Sequence, residues 1–96
     1  MTKWHRRYVD TVVRFDASGR VMPVEIIWDD RHRYKIDSVT DIRPKPALRA
    51  GGQGDCYTVE IICGDDVQTR QLFFERNAAL SGSTLGRWFV EAPEQN

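Results

Sequence analysis

The sequence predicts an all-β fold: an antiparallel meander of five or six strands that forms a small barrel or a strongly bent sheet. Apolar and polar residues alternate through most of the chain, which is the pattern of half-buried strands. Turn residues interrupt this alternation at intervals typical of hairpins, and no window of eleven residues carries the apolar stripe of a helix. With 96 residues, the chain is expected to form a single small domain.

Three strands are predicted in the first half of the chain. The turns between them are rich in Asp and Gly, which favour tight hairpin loops. Pro23 lacks a backbone donor, so the second strand should lie at an edge of the sheet or start after this residue. A change of phase between Ile36 and Val39 predicts a bulge near Asp37. The predicted strands are residues 8–15, 21–28 and 32–42, and the turns are residues 16–19 and 29–31.

Three further strands are predicted in the second half. Residues 43–54 are rich in Gly and Pro and are expected to form a long loop. Asn77–Leu80 is the one segment predicted to form a short helical turn. Residues 1–7 and 93–96 are expected to fray, which leaves a core domain of about residues 8–92. The predicted strands are residues 55–63, 67–75 and 87–91, with a turn at residues 64–66.

The inward faces of these strands predict the hydrophobic core. Side chains two positions apart on a strand point to the same side, so each strand contributes one or two buried pairs. The expected core residues are Val24, Ile26, Trp28, Tyr34, Ile36, Val59, Ile61, Leu72, Phe74 and Val90.

Charge and composition disfavour several classes of protein. The chain has 14 Lys and Arg against 14 Asp and Glu, whereas binding to a phosphate backbone needs surplus cations. No apolar run is long enough to span a bilayer, and the N-terminal residues lack the apolar centre of a signal peptide. We therefore expect a cytoplasmic protein without membrane contact.

Catalytic, metal and cofactor motifs are also missing from the sequence. Cys56 and Cys63 lie seven positions apart in one predicted strand, which is too far for a disulfide bond. Neither these cysteines nor His5 and His32 have the spacing of a zinc site. The sequence therefore predicts a protein that is not an enzyme and that holds no metal or cofactor.

Four short motifs resemble a known family. They are residues 27–36 (IWDDRHRYKI), 56–61 (CYTVEI), 71–74 (QLFF) and 87–92 (RWFVEA). Together they are similar to small uncharacterised bacterial β-domains with a Trp–turn–Arg–Tyr hairpin and a closing Trp-x-Val-Glu-Ala strand. Members of that family stand alone or lie at the C-terminus of proteins related to Y-family DNA polymerases. The resemblance covers about residues 21–92 and implies a bacterial β-domain, with no enzymatic activity to carry over.

A row of cations is the strongest candidate for a binding surface. Arg31, Arg33 and Lys35 alternate with Tyr34 and Ile36 along the predicted strand. Burial of Tyr34 and Ile36 would therefore turn these three cations outward together. Further cations extend the row into the predicted loop, and two aromatic residues would offer stacking platforms of the kind that single-strand binders use. The interpretation that we favour for the row is an ordinary solvated strand face whose cations pair with Asp and Glu on neighbouring strands. The candidate residues are Arg31, Arg33, Lys35, Arg43, Lys45, Arg49, Tyr57 and Trp88.

The sequence thus leaves the biological role open between two hypotheses. The favoured one is a non-enzymatic β-domain with a structural or protein-binding role, whose partner is another protein or a second copy in a homodimer. In that hypothesis, the strand that starts near Pro23 or the last strand, ending at Glu91, supplies an edge or an aromatic patch. The alternative is a module, linked to DNA repair, that binds single-stranded nucleic acid weakly through the cationic row.

Overall fold

The computed structural model shows an all-β architecture. It describes residues 4–28, 30–46, 53–76 and 86–93, and in these ranges it has seven strands and no helix. One antiparallel sheet contains all seven strands and curls into a half-barrel. The predicted all-β class and strongly bent antiparallel sheet are therefore confirmed, whereas the sheet has seven strands instead of the expected five or six. The strands are β1 (Trp4–Tyr8), β2 (Asp10–Phe15), β3 (Val21–Ile27), β4 (Arg33–Pro46), β5 (Gln53–Cys63), β6 (Asp66–Arg76) and β7 (Arg87–Pro93).

The order of the strands explains the curl of the sheet. Across the sheet the order is β1-β7-β6-β5-β4-β3-β2, so β1 and β2 lie at opposite edges. Only Val9 separates these two strands in the chain, and it is buried. The amide of Val9 donates to the carbonyl of Trp88 at 3.0 Å. Because one residue joins both edges, the sheet has to bend until they approach each other.

The first residues of the chain correct one prediction. Residues 1–7 were expected to fray, but β1 pairs with β7 from Trp4 opposite Pro93 to Tyr8 opposite Phe89. This strand lacks a clear apolar alternation, and its pairing with β7 is long-range, so the local sequence does not reveal it. Pro93, also expected to fray, belongs to the same pairing.

The predicted loop at residues 43–54 is also wrong at both of its ends. β4 continues to Pro46 and β5 begins at Gln53, and these two residues are directly paired. Residues 47–52 between them lie outside the described part of the chain, as does the expected helical turn at Asn77–Leu80.

Prolines can occupy the end of β4 because the strand is paired on one side there. From Ile36 onward β4 pairs with β5, and in the described residues no strand pairs with its other side. Pro44 and Pro46 can direct their donor-free nitrogens toward that open side. The expected bulge near Asp37 is confirmed, because the register with β5 shifts between Ile36 and Ser38.

The core forms on the concave face and matches much of the prediction. Four expected residues are buried, namely Ile26, Val59, Ile61 and Leu72, and four more pack against them, namely Trp28, Ile36, Phe74 and Val90. Val24 and Tyr34 are half-buried and lie outside the cluster. A register shift opposite Val24 accounts for its position, because β2 pairs with Glu25 and then directly with Pro23. Pro23 is buried instead.

A second aromatic layer lies on the convex face, where the sequence did not predict one. Phe73 and Phe89 are both buried and stack with 5.0 Å between ring centroids. Tyr8 of β1 packs against Phe89 edge-on, and the Arg6 guanidinium lies 4.7 Å from the Phe89 ring centroid. β1 therefore covers an aromatic surface that the other strands leave open. In the described residues no helix is long and apolar enough to cross a membrane.

Truncating Leu72 to Ala should reduce the free energy of unfolding by about 2–5 kcal/mol. Leu72 is 0% exposed, so the substitution leaves a cavity in the centre of the concave core. Val67→Ala on the same strand is the control, because Val67 is 52% exposed and should change stability by no more than about 0.5 kcal/mol. Chemical denaturation of both variants measures the difference, and equal stabilities would contradict the assigned core.

Candidate functional site

Two cations of the cationic row, Arg33 and Arg43, form ion pairs with neighbouring carboxylates. Arg33 forms an ion pair with Glu25 at 2.6 Å, and Glu25 also lies directly opposite Lys35 in the register of β3 and β4. Arg43 pairs with Asp41 at 2.7 Å. These contacts fit the solvated-face interpretation of the row better than a surface prepared for phosphates.

Among the remaining cations of the row, Arg31 and Lys35 are the ones whose side chains belong to the described part of the chain. Arg31 sits in the turn before β4, with a left-handed φ of 65°, and is exposed. Nothing is described of the Lys45 side chain, and Arg49 lies outside the described residues. The structure therefore places only Arg31, Arg33 and Lys35 near one end of the sheet.

The two proposed aromatic platforms are core residues, which corrects that part of the prediction. Tyr57 is 5% exposed and Trp88 is 8% exposed, and their ring centroids lie 5.2 Å apart. The sequence contained the signal: Tyr57 shares a strand face with Val59, and Trp88 shares one with Val90. Neither ring is accessible to a base.

Tyr57 also connects two distant strands. Its hydroxyl donates a hydrogen bond of 2.8 Å to the carbonyl of Val21, which joins β5 to the start of β3. Burial, with a smaller contribution from the charge of Asp55, raises the pKa of this hydroxyl above its ordinary value. The residue is therefore structural rather than a ligand contact.

A polar network on the convex face of the sheet holds β1 in place. Glu75 accepts hydrogen bonds from Arg6 at 3.0 Å, from the Tyr8 hydroxyl at 2.9 Å and from Arg87 at 3.4 Å. The Arg87 guanidinium also lies 4.1 Å from the centroid of the Tyr8 ring. Residues of three strands thus meet at one carboxylate, which pairs with two guanidinium groups. The network therefore holds β1 against β6 and β7.

The last strand is paired on both sides only at Phe89. β7 pairs with β6 at Arg87–Phe89 and with β1 at Phe89–Pro93, so in the described residues Val90–Pro93 has β1 as its one partner and keeps part of the expected edge. The start of β3 likewise has β2 on one side, while its pairing with β4 covers only Glu25–Ile27. The stretch near Pro23 is therefore paired with β2 on one side only, but its proline weakens it as a template for another strand.

A better edge lies on β6, where sequence reasoning had not placed one. β6 pairs with β5 along its whole length, but it pairs with β7 only at Phe73–Glu75. In the described residues, Asp66–Leu72 is therefore paired on one side only. This stretch contains no proline and no bulge. We call it the β6 edge.

The hairpin turn determines which backbone groups the β6 edge presents. Gly64 and Asp65 form a two-residue loop, and the positive φ of Gly64, 63°, is that of the first loop residue in a type II′ turn. In such a hairpin the flanking pair, Cys63 and Asp66, is hydrogen-bonded across the strands. Alternate residues then direct their amide and carbonyl groups away from β5; these are Val67, Thr69 and Gln71.

A cavity of about 690 Å³ opens beside this edge, and residues of β3, β4, β5, β6 and β7 line it. Ile26, Trp28, Ile61 and Val90 form its apolar wall, and residues 68–71 of β6 line one side. β6 and β7 diverge along the cavity, since their pairing does not continue beyond Phe73. The cavity therefore gives an incoming chain space along the β6 edge.

The β6 edge carries one anion, Asp66, and one cation, Arg70, and neither forms an ion pair in the described residues. Arg70 donates to the carbonyl of Thr69 at 2.9 Å and to the side-chain oxygen of Gln68, both neutral acceptors. In the described part of the chain no carboxylate lies within ion-pair distance of Arg70, and Asp66 likewise has no cationic partner there. Both side chains are exposed. The described residues include no group of three side chains that could hold a metal ion.

Replacing Tyr57 with Phe should lower stability at neutral pH by about 1 kcal/mol, because it removes the hydrogen bond to Val21. The raised pKa of Tyr57 means that the folded chain keeps a proton that the unfolded chain releases above about pH 10. The stability of the natural chain should therefore fall further than that of the variant as the pH rises above this value. Urea unfolding across the alkaline range measures both effects, with Tyr34→Phe as the control. If the free energies of unfolding of the natural chain and of Tyr57→Phe fell equally with rising pH, the burial of the Tyr57 hydroxyl would be contradicted.

Binding of single-stranded DNA or RNA should be absent or weak at a salt concentration of about 0.15 M. Glu25 neutralises part of the cationic row, and few counterions are left to release. Fluorescence polarisation with a labelled oligonucleotide over a salt series measures this. Sub-micromolar affinity that is lost when Arg31, Arg33 and Lys35 are all replaced by Ser would reverse this expectation.

Comparisons of the chain with protein-family models, curated proteins and solved structures found no match. The resemblance to the bacterial β-domain family therefore stays a prediction from the four short motifs. The four motifs have clear structural positions: residues 27–36 contain the turn between β3 and β4, residues 56–61 lie in β5, residues 71–74 lie in β6 and residues 87–92 form most of β7.

Proposed function

We propose that this chain is a non-enzymatic protein-binding β-domain that binds an extended segment of its partner along the β6 edge. The single observation that carries the proposal is the one-sided pairing of Asp66–Leu72 in the described residues. Proteins normally cover, shorten or interrupt such an edge, because its unpaired amide and carbonyl groups attract another strand. The β6 edge has no proline and no bulge, and its two charged side chains, Asp66 and Arg70, have opposite signs.

The backbone supplies most of the binding in this mode. An added strand pairs with the outward amide and carbonyl groups of Val67, Thr69 and Gln71, so the sheet is extended by one strand. Neighbouring strands lie about 4.8 Å apart, and the cavity beside the β6 edge provides space for the added chain. Side chains of the partner that point inward would face the apolar wall formed by Ile26, Trp28 and Val90.

The nucleic-acid alternative loses its main support in this geometry. Its aromatic platforms, Tyr57 and Trp88, are buried, and two of its cations are paired with carboxylates. The proposal for a DNA-repair role then depends only on the family resemblance. Protein binding is the hypothesis that the described surface favours.

Thr69→Pro should abolish binding of extended peptides to the β6 edge. The substitution removes an outward amide and leaves the hydrogen bonds between β5 and β6 intact, because Thr69 directs its amide away from β5. Thr69→Ala is the matched control, since it removes the same side chain and keeps the amide. A phage-displayed library of 12-residue peptides is selected against the natural chain, and the selected peptides are measured by fluorescence polarisation against both variants.

We expect the selected peptides to bind Thr69→Ala nearly as well as the natural chain and to lose at least tenfold in affinity for Thr69→Pro. Thermal unfolding confirms that each variant is folded. Peptides that bind Thr69→Pro with full affinity would show that the β6 edge is not the site, as would a library that yields no binder.

A further inference from the structure

We infer that the partner at the β6 edge is a second copy of this chain, paired antiparallel through β6 about a two-fold axis at Gln68. The inference rests on the proposed function, since it names the occupant of the same edge. Homodimers with two-fold symmetry use the same surface on both copies, so a suitable surface has to be complementary to itself. The sequence of the β6 edge meets this condition.

Charge complementarity selects the position of the axis. The edge begins Asp66-Val67-Gln68-Thr69-Arg70, with one anion and one cation at equal distances from Gln68. A two-fold axis at Gln68 places Asp66 of each copy opposite Arg70 of the other, which gives two ion pairs. An axis at Thr69 would instead place Asp66 opposite Leu72, and an axis at Val67 would place it opposite Gln68. Only the axis at Gln68 pairs both charges.

The direction of the backbone groups agrees with this register. With the axis at Gln68, Val67 of one copy lies opposite Thr69 of the other, and both residues direct their amide and carbonyl groups toward the new partner. Two such pairs form, with two hydrogen bonds in each. Asp66 and Arg70 then occupy the non-hydrogen-bonded positions, where the Cα atoms are about 4.5 Å apart and side chains are closest.

Within the ranges that the structure describes, the charged groups of this interface have no ionic partners in the single chain. Arg70 contacts only neutral oxygens in the described residues, and its guanidinium lies beside Gln68, at the position of the proposed axis. Asp66 is exposed at the start of the strand and has no cation within ion-pair distance there. Pairing two copies supplies each charge with the opposite one.

Exposed apolar residues on the convex face add to the interface. Val67 is 52% exposed, and its cross-strand neighbour Ile62 is 40% exposed. In the dimer, Thr69 of the second copy lies next to Val67 and covers part of this apolar pair. The contact remains small, so we expect dissociation constants on the order of 10–100 micromolar rather than an obligate dimer.

Charge reversal tests the inference by analytical ultracentrifugation over a concentration series. Asp66→Arg places two arginines opposite each other at both ends of the interface, and Arg70→Asp does the same with aspartates. Each single variant should weaken dimerisation at least tenfold. The double variant, Asp66→Arg with Arg70→Asp, restores both ion pairs with reversed polarity and should dimerise like the natural chain. Circular dichroism confirms the fold of all three.

The outcomes separate this inference from the proposed function. A natural chain that stays monomeric at millimolar concentration, but binds selected peptides in a way that Thr69→Pro abolishes, overturns the homodimer and leaves the edge as a site for another protein. If neither single charge reversal changes dimerisation, the register with its axis at Gln68 is also overturned. If Thr69→Pro changes neither dimerisation nor peptide binding, both the homodimer and the proposed function are overturned.

Discussion

The closure of the sheet at Val9 is the constraint on which the rest of the structure depends. β1 and β2 are consecutive in the chain, yet one pairs with β7 and the other with β3, at opposite edges of the same sheet. The hydrogen bond from Val9 to the carbonyl of Trp88 holds this junction, and the burial of Val9 places it in the concave core. Curvature is therefore a consequence of connectivity, and the concave face gathers the core residues from all other strands.

Strong curvature also determines where the sheet opens. A curled sheet keeps all its ladders only when strand tilt and stagger match its curvature, and here two ladders shorten where neighbouring strands diverge. β6 and β7 share only the pairs at Phe73–Glu75, and β3 and β4 share only those at Glu25–Ile27. The first opening leaves the β6 edge and its adjacent cavity. The candidate site is thus produced by the same bending that buries the core.

The sequence predicted those elements whose signal is local. Strands with apolar alternation, such as β5 and β6, were placed to within two residues, and the bulge after Ile36 followed from a change of phase. β1 was not predictable in this way, because its stability comes from contacts with Phe89 and Glu75 far along the chain. Local pattern also cannot show which strand ends its pairing early, so the β6 edge emerged only from the register of the whole sheet.

The Glu75 network has a consequence for how the chain reaches its final fold. Arg6 and Glu75 are 69 positions apart, so β1 can meet its partners on β6 and β7 only after almost all of the chain has been synthesised. Contacts between such distant segments slow folding, because the intervening chain must first be ordered. Until β1 docks, the aromatic surface of Phe73 and Phe89 stays open to solvent. The late attachment of β1 therefore determines how long the nascent protein exposes this aromatic convex surface. During that interval, binding by chaperones or aggregation competes with the docking of β1.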